Sequence, residues 1–187
     1  MGLELPVSKD KNIVLLGMPG AGKSTVGVLL AKRTARGFVD TDVLIEVRES
    51  LLLQEIIEQS DYLNLRRIEQ EVLLGLHIHR YVIATGGSAA YSEKSMKHLK
   101  KDGIVIFLDV PYEELERRIH NFDQRGIACP SGMSLKDIYE ERLPLYRQWA
   151  DLTLACGQSG HEQVVEELMH AMDMVIEDEQ PNTEPRL

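Results

Sequence analysis

Gly17-Met18-Pro19-Gly20-Ala21-Gly22-Lys23-Ser24, followed by Thr25, constrains this chain more than any other segment. It matches GxxxxGK[ST] in full. A short apolar run, Asn12–Leu16, precedes it and reads as a buried strand. Val26, Leu29 and Leu30 follow at helical spacing, which predicts a helix over 24–36 with Gly37 as its stop. A strand that breaks at glycine and restarts as a helix turns backbone N–H groups inward around an anion, at the positive end of the helix dipole. Lys23 then reaches the β- and γ-phosphates, and Ser24 supplies a hydroxyl to Mg²⁺. The expected ligand is a nucleoside triphosphate, held by Gly17, Gly20, Ala21, Gly22, Lys23, Ser24 and Thr25.

The rest of the chain alternates strand and helix. Strands are predicted at 38–40, 81–85, 104–109 and Leu152–Ala155. Helices are predicted at 51–59, 61–77, Glu93–Lys101, 111–120, 135–143 and 161–176, with Pro144 interrupting or kinking the chain before Ala150. With Asn12–Leu16 this makes five strands. The expected fold is α/β: three layers, with a five-stranded parallel sheet between helices. Residues 121–134 hold two glycines and a proline without an apolar period, and are expected to form a lid. Residues 1–176 read as a single domain, and 177–187 as an acidic, disordered tail.

At 187 residues there is room for one full-sized domain and none for a separate motor domain. The net charge of −9 argues against a nucleic-acid partner. Eight acids against one base fall between 162 and 187, so the body that carries the motifs is close to neutral. No apolar run has the length of a membrane span, and Met1 to Lys11 lack a signal-like apolar stretch, so the expected location is cytoplasmic. Cys129 and Cys156 lie far apart, which fits a reducing compartment. His77 and His79 do not share a helical face and make a poor metal pair.

Three further groups stand at strand ends, where ligands bind in parallel sheets. Asp40 and Asp42 flank Thr41 and, on an extended chain, point to opposite sides. One can serve a cation and the other a hydroxyl; a helix cap is the simpler alternative. Gly86-Gly87 allows close approach of a ligand to the backbone. Arg66 and Glu69 are three apart on one helix, where an internal ion pair is the simple reading.

In order along the chain stand the phosphate loop, Asp40-Thr41-Asp42, Leu65-Arg66-Arg67-Ile68-Glu69, Gly86-Gly87, Arg125 in the predicted lid, and Arg142-Leu143-Pro144-Leu145-Tyr146. This series resembles the shikimate kinase family, small-molecule kinases of the P-loop fold related to nucleoside monophosphate kinases. The resemblance implies ATP-dependent phosphorylation of the shikimate 3-hydroxyl, with Mg²⁺ as cofactor. It implies Lys23, Asp42 and Arg125 as catalytic residues, and Ser24 and Asp40 as the metal-holding pair. Asp42, Arg66, Glu69, Gly86, Gly87 and Arg142 would bind the acceptor. The two arginines would clamp its carboxylate, the Gly86 and Gly87 amides would line its pocket, and Glu69 would orient Arg66. Arg118 would pack on adenine, against the simpler reading of a pair with Glu114.

Two positions depart from the family pattern. Ser88 stands where a third glycine is usual, and Arg125-Gly126-Ile127-Ala128 replaces the usual RPLL. Both touch the acceptor side, so a kinase for gluconate or a shikimate analogue is the competing enzyme reading. A silent nucleotide-binding module is the competing non-enzyme. Small-molecule substrates, no membrane and a monomer are the expected associations. Gly126 and Gly132 are the candidate lid hinges, and Tyr146 and Trp149 are expected to pack the kinked helix.

Overall fold

The computed structural model describes residues 10–120, 126–157 and 159–177. Five parallel strands make one sheet in the order β2-β3-β1-β4-β5: β1 (Asn12–Leu16), β2 (Gly37–Asp40), β3 (Tyr81–Ala84), β4 (Gly103–Asp109) and β5 (Leu152–Ala155). Every residue of β1 is buried, as are six of the seven in β4. That is why both read as unbroken apolar runs rather than as alternations. The edge strand β5 alternates between half-buried and exposed positions.

Helices flank the sheet: α1 (Lys23–Arg33), α2 (Thr41–Glu49), α3 (Leu53–Gln59), α4 (Tyr62–Leu74), α5 (Glu93–Lys101), α6 (Tyr112–Arg118), α7 (Leu135–Trp149) and α8 (His161–Glu177). The chain leaves β1 toward β2 on one side and β4 toward β5 on the other. A crevice therefore opens beyond the carboxyl ends of β1 and β4. The phosphate loop sits there, with Gly17 so close to β4 that a Cβ on it would come 3.0 Å from the Leu108 carbonyl oxygen.

Two expectations about local structure fail. Asp40-Thr41-Asp42 is not extended: Asp40 ends β2 and caps α2, a helix the sequence reading lacked. Its side chain accepts the Asp42 N–H at 3.0 Å. The apolar pattern of α2 conceals it, because Val43 and Val47 are 52% and 71% exposed while Ile45 is its one fully buried apolar residue. The helix expected over 135–143 is also not interrupted at Pro144; α7 runs through it for 15 residues. Proline there removes the N–H that would meet the Glu140 carbonyl. Both residues are on the exposed face, where water can take over that carbonyl.

A small second core joins α2, α3 and α4. Ile45, Ile56, Leu65 and Ile68 pack together with Ala128, which lies beyond α6 in the chain. This cluster seats the base of the predicted lid against the three helices. Gly126 is part of the same joint. Its φ is +60°, a Cβ would come 2.6 Å from the Gln54 amide nitrogen, and its own N–H reaches Gln54 Oε1 at 3.1 Å. Proline, fixed near φ −65°, does not fit this backbone, which accounts for glycine at a position where the family carries proline. Gly126 is thus packed in place, whereas Gly132 (φ +87°) has open space around it. Residues 121–125, with Arg125 among them, and the tail from 178 onward lie outside the described residues.

Candidate active site

One cavity of about 430 Å³ takes its walls from the phosphate loop, α2, α4, the β3–α5 loop, the 126–128 segment and α7. Gly20, Gly22, Lys23, Ser24, Thr25, Asp42, Glu69, Gly86, Gly87, Arg118 and Arg142 all line it. Eleven residues drawn from six places in the sequence thus meet around one space. Gly17 and Ala21 stand behind the loop; Gly17 packs on β4, and Ala21 is buried with its N–H on the Met18 carbonyl.

Lys23 is only 8% exposed and donates to the carbonyls of Gly17 at 2.8 Å and Met18 at 2.9 Å. Burial lowers its pKa to about 8, against the opposing pull of Asp42 and Asp40. Ser24 Oγ donates to Asp40 Oδ2 at 2.5 Å. These are two hard oxygen donors at the end of a phosphate loop, and they suit Mg²⁺, which takes one or two protein groups and fills its shell with phosphate and water. Asp40 thus does two jobs, one oxygen capping α2 and the other meeting Ser24.

Gly86 is where two carboxylates close in. A Cβ on it would lie 2.6 Å from Asp42 Oδ1 and well inside contact distance of Glu69 Oε1. No residue with a side chain fits between them. Burial raises Asp42 to about 6, against the pull of Lys23 and with a further push from Asp40 and Glu46; burial, then repulsion from Asp42, raises Glu69 to about 7. Ser88 Oγ donates to Glu69 Oε2, and Glu69 Oε1 has no hydrogen-bond partner among the described residues. Ser88, the departure from the third glycine, therefore spends its hydroxyl on Glu69. Gly86 lines the cavity as expected, but its N–H already donates to Thr41 Oγ1 at 3.0 Å.

The raised Glu69 has a consequence for stability. The folded chain holds this proton more tightly than the unfolded chain does. Stability from this group is therefore lost as pH rises from the ordinary glutamate range to about 7, and is constant above that. A Glu69→Gln variant does not titrate. Its Tm relative to the parent is expected to climb across that window, by several degrees between pH 4.5 and 8. Thermal unfolding at stepped pH checks this; a Tm difference independent of pH would contradict it.

The arginines are arranged differently from the ion pair read in the sequence. Glu69 does not orient Arg66, because the two side chains face different partners. Arg66 donates through Nε and Nη2 to the Ala128 carbonyl, at 3.2 and 3.0 Å. Arg142, 1% exposed, donates from Nη2 to the same oxygen at 2.9 Å. Arg66 does not line the main cavity; it lines a second one of about 310 Å³ behind it, with Tyr91 and Ser88. Arg118 makes the Glu114 pair of the simpler reading, Nε to Oε1 at 3.0 Å, and also lines the main cavity.

Several contributors were invisible in the sequence. Tyr146, fully buried, donates to the Gly87 carbonyl at 2.6 Å, and Trp149 Nε1 donates to the Ala90 carbonyl at 3.1 Å. Both pack α7 against the core as expected, and their hydrogen bonds also tie it to the β3–α5 loop. His161 stands against the phosphate loop, its Nε2 2.9 Å from where a Cβ on Gly22 would lie. Only the tertiary fold brings these pairs together.

Known proteins agree with this geometry. The shikimate kinase family profile matches residues 19–173. A shikimate kinase from Thiobacillus denitrificans is 34% identical over 172 residues, covering 90% of this chain and 94% of that one. A solved structure, the shikimate kinase from Acinetobacter baumannii in complex with shikimate, superposes with a TM-score of 0.82 at 30% identity, covering 91% of this chain and 96% of that one. Threonine synthase-like 1 from Homo sapiens is 31% identical over 166 residues, which are 87% of this chain and 22% of that protein, so the same kind of domain also stands within a longer chain. With that family's profile matching residues 19–173 and a relative 34% identical over 90% of the chain and 94% of its own length, the chain belongs to the shikimate kinase family.

Proposed function

We propose that this kinase transfers the γ-phosphoryl group of ATP to the 3-hydroxyl of shikimate. The observation that carries the reading is the convergence of Arg66 and Arg142 on one oxygen, the Ala128 carbonyl. Two guanidinium forks aimed at one point suit a carboxylate oxygen, and a lysine pair would lack that planar match. The relative bound to shikimate supports the choice of acid.

Each remaining residue then has a task. Asp42 faces the hydroxyl side of the cavity, and a carboxyl poised near 6 is ionised at neutral pH yet basic enough to accept the hydroxyl proton. Glu69 Oε1 offers a second acceptor beside it for a neighbouring hydroxyl. Lys23 exchanges its two loop carbonyls for phosphate oxygens, which places a buried cation against the charge that spreads during transfer. Ser24 and Asp40 would hold Mg²⁺, which when bound would supply positive charge against the phosphates. Arg125, beyond the described residues, keeps the role of a lid arginine against the transferring group. Arg118 is placed to cover the adenine end.

A coupled ADP-release assay with purified protein, ATP and Mg²⁺ tests this against a panel of hydroxy acids that includes gluconate. Shikimate is expected to give the highest kcat/KM. No shikimate-stimulated ADP release, or a larger kcat/KM with another acid, would overturn the assignment.

A further inference from the structure

We infer that Tyr91 is a positioning residue for the acceptor: its phenol sets where both carboxylate-binding guanidiniums sit. Arg66 lies with its Cζ 3.7 Å from the centre of the Tyr91 ring, and Arg142 with its Cζ at 5.5 Å. Arg142 Nε also donates to the Tyr91 hydroxyl at 3.4 Å, and that hydroxyl donates onward to the Glu141 carboxylate. One ring therefore touches both cations, and neither the phosphate loop nor the carboxylates share this contact.

The ring has little freedom. It closes the short turn Ala89–Tyr91, whose Tyr91 N–H bonds the Ser88 carbonyl at 3.1 Å. Trp149 holds the Ala90 carbonyl of the same turn from α7. Burial and the Glu141 bond raise the phenol pKa, so the ring stays neutral over any working pH. Two guanidiniums that converge on one carbonyl repel each other. An aromatic face beside both offsets that repulsion without a carboxylate, which would neutralise the clamp before the acceptor arrives.

The inference rests on the reading that Arg66 and Arg142 hold the acceptor carboxylate. The test uses Tyr91→Leu, Tyr91→Phe and Arg66→Ala in the full chain, with shikimate KM, ATP KM, kcat and Tm measured for each. Tyr91→Leu is expected to raise the shikimate KM about tenfold, with kcat and the ATP KM close to the parent's. Tyr91→Phe keeps the ring face and is expected to recover most of the loss. In an Arg66→Ala background the Leu substitution should have a smaller effect, since one of its two partners is gone. An unchanged shikimate KM in Tyr91→Leu, while Arg66→Ala raises it, overturns the positioning role alone. Loss of kcat and both KM values together, without rescue by Phe, overturns it as a mere packing effect. Arg66→Ala without effect on the shikimate KM overturns the clamp reading, and the role of Tyr91 with it.

Discussion

Lys23→Met is expected to lower kcat by about 10³-fold while leaving the Tm at or above that of the parent. The methionine keeps the apolar stem that packs behind the loop and removes only the ammonium. That ammonium is expensive where it stands. It is 8% exposed, burial has lowered its pKa to about 8, and it donates to two loop carbonyls. Its folded pKa lies below its unfolded one, so it costs stability at neutral pH, and that cost fades as pH rises from about 8 toward 10.5. A group kept at such a cost is there for transition-state charge. Steady-state kinetics at saturating ATP and shikimate, beside thermal unfolding, check both halves. A kcat within tenfold of the parent would remove Lys23 from the chemistry. Strong turnover in the parent that vanishes in the variant would also exclude a silent nucleotide-binding module.

The parts of the fold that could be read in advance were those with local causes. The phosphate loop carries its glycines, lysine and serine in one stretch, and β1 and β4 declare themselves by unbroken apolar runs. The resemblance carried by the order of motifs grouped Asp42, Arg66, Glu69, Gly86, Gly87 and Arg142 at the acceptor; all but Arg66 line one cavity. What escaped had non-local causes. Helix α2 turns apolar Val43 and Val47 to the outside, so its period is misleading. The bridge through Ala128 joins residues 62 and 14 positions apart, and depends on a carbonyl, which has no residue type to recognise. Glu69 was read as the partner of Arg66 from their spacing on α4. The fold instead turns it to Ser88, 19 positions away. Hydroxyls and carbonyls, not charges, decide these arrangements.

Arg142 is where these threads meet, and its loss should be felt almost wholly by the acceptor. It is the largest side chain that is fully buried, and it donates to Ala128 and Tyr91 while its Nη1 lies 2.8 Å from where a Cβ on Gly87 would be. Arg142→Ala is expected to raise the shikimate KM by 10²-fold or more, about 2–4 kcal/mol for a desolvated carboxylate partner, with the ATP KM little changed. Arg142→Lys should recover only a small part, because a single ammonium cannot span the Ala128 carbonyl and the Tyr91 hydroxyl as the planar fork does. A second readout separates this from a damaged core. Arg142 holds down the pKa of both Asp42 and Glu69. Without it both carboxyls rise further, so the acid limb of kcat/KM against pH should move to higher pH in Arg142→Ala. In the double variant with Glu69→Gln only Asp42 remains to titrate, and the limb should steepen less and shift less. A variant that loses activity with an unmoved acid limb, or that weakens ATP as much as shikimate, would show that Arg142 supports the wall rather than the acceptor.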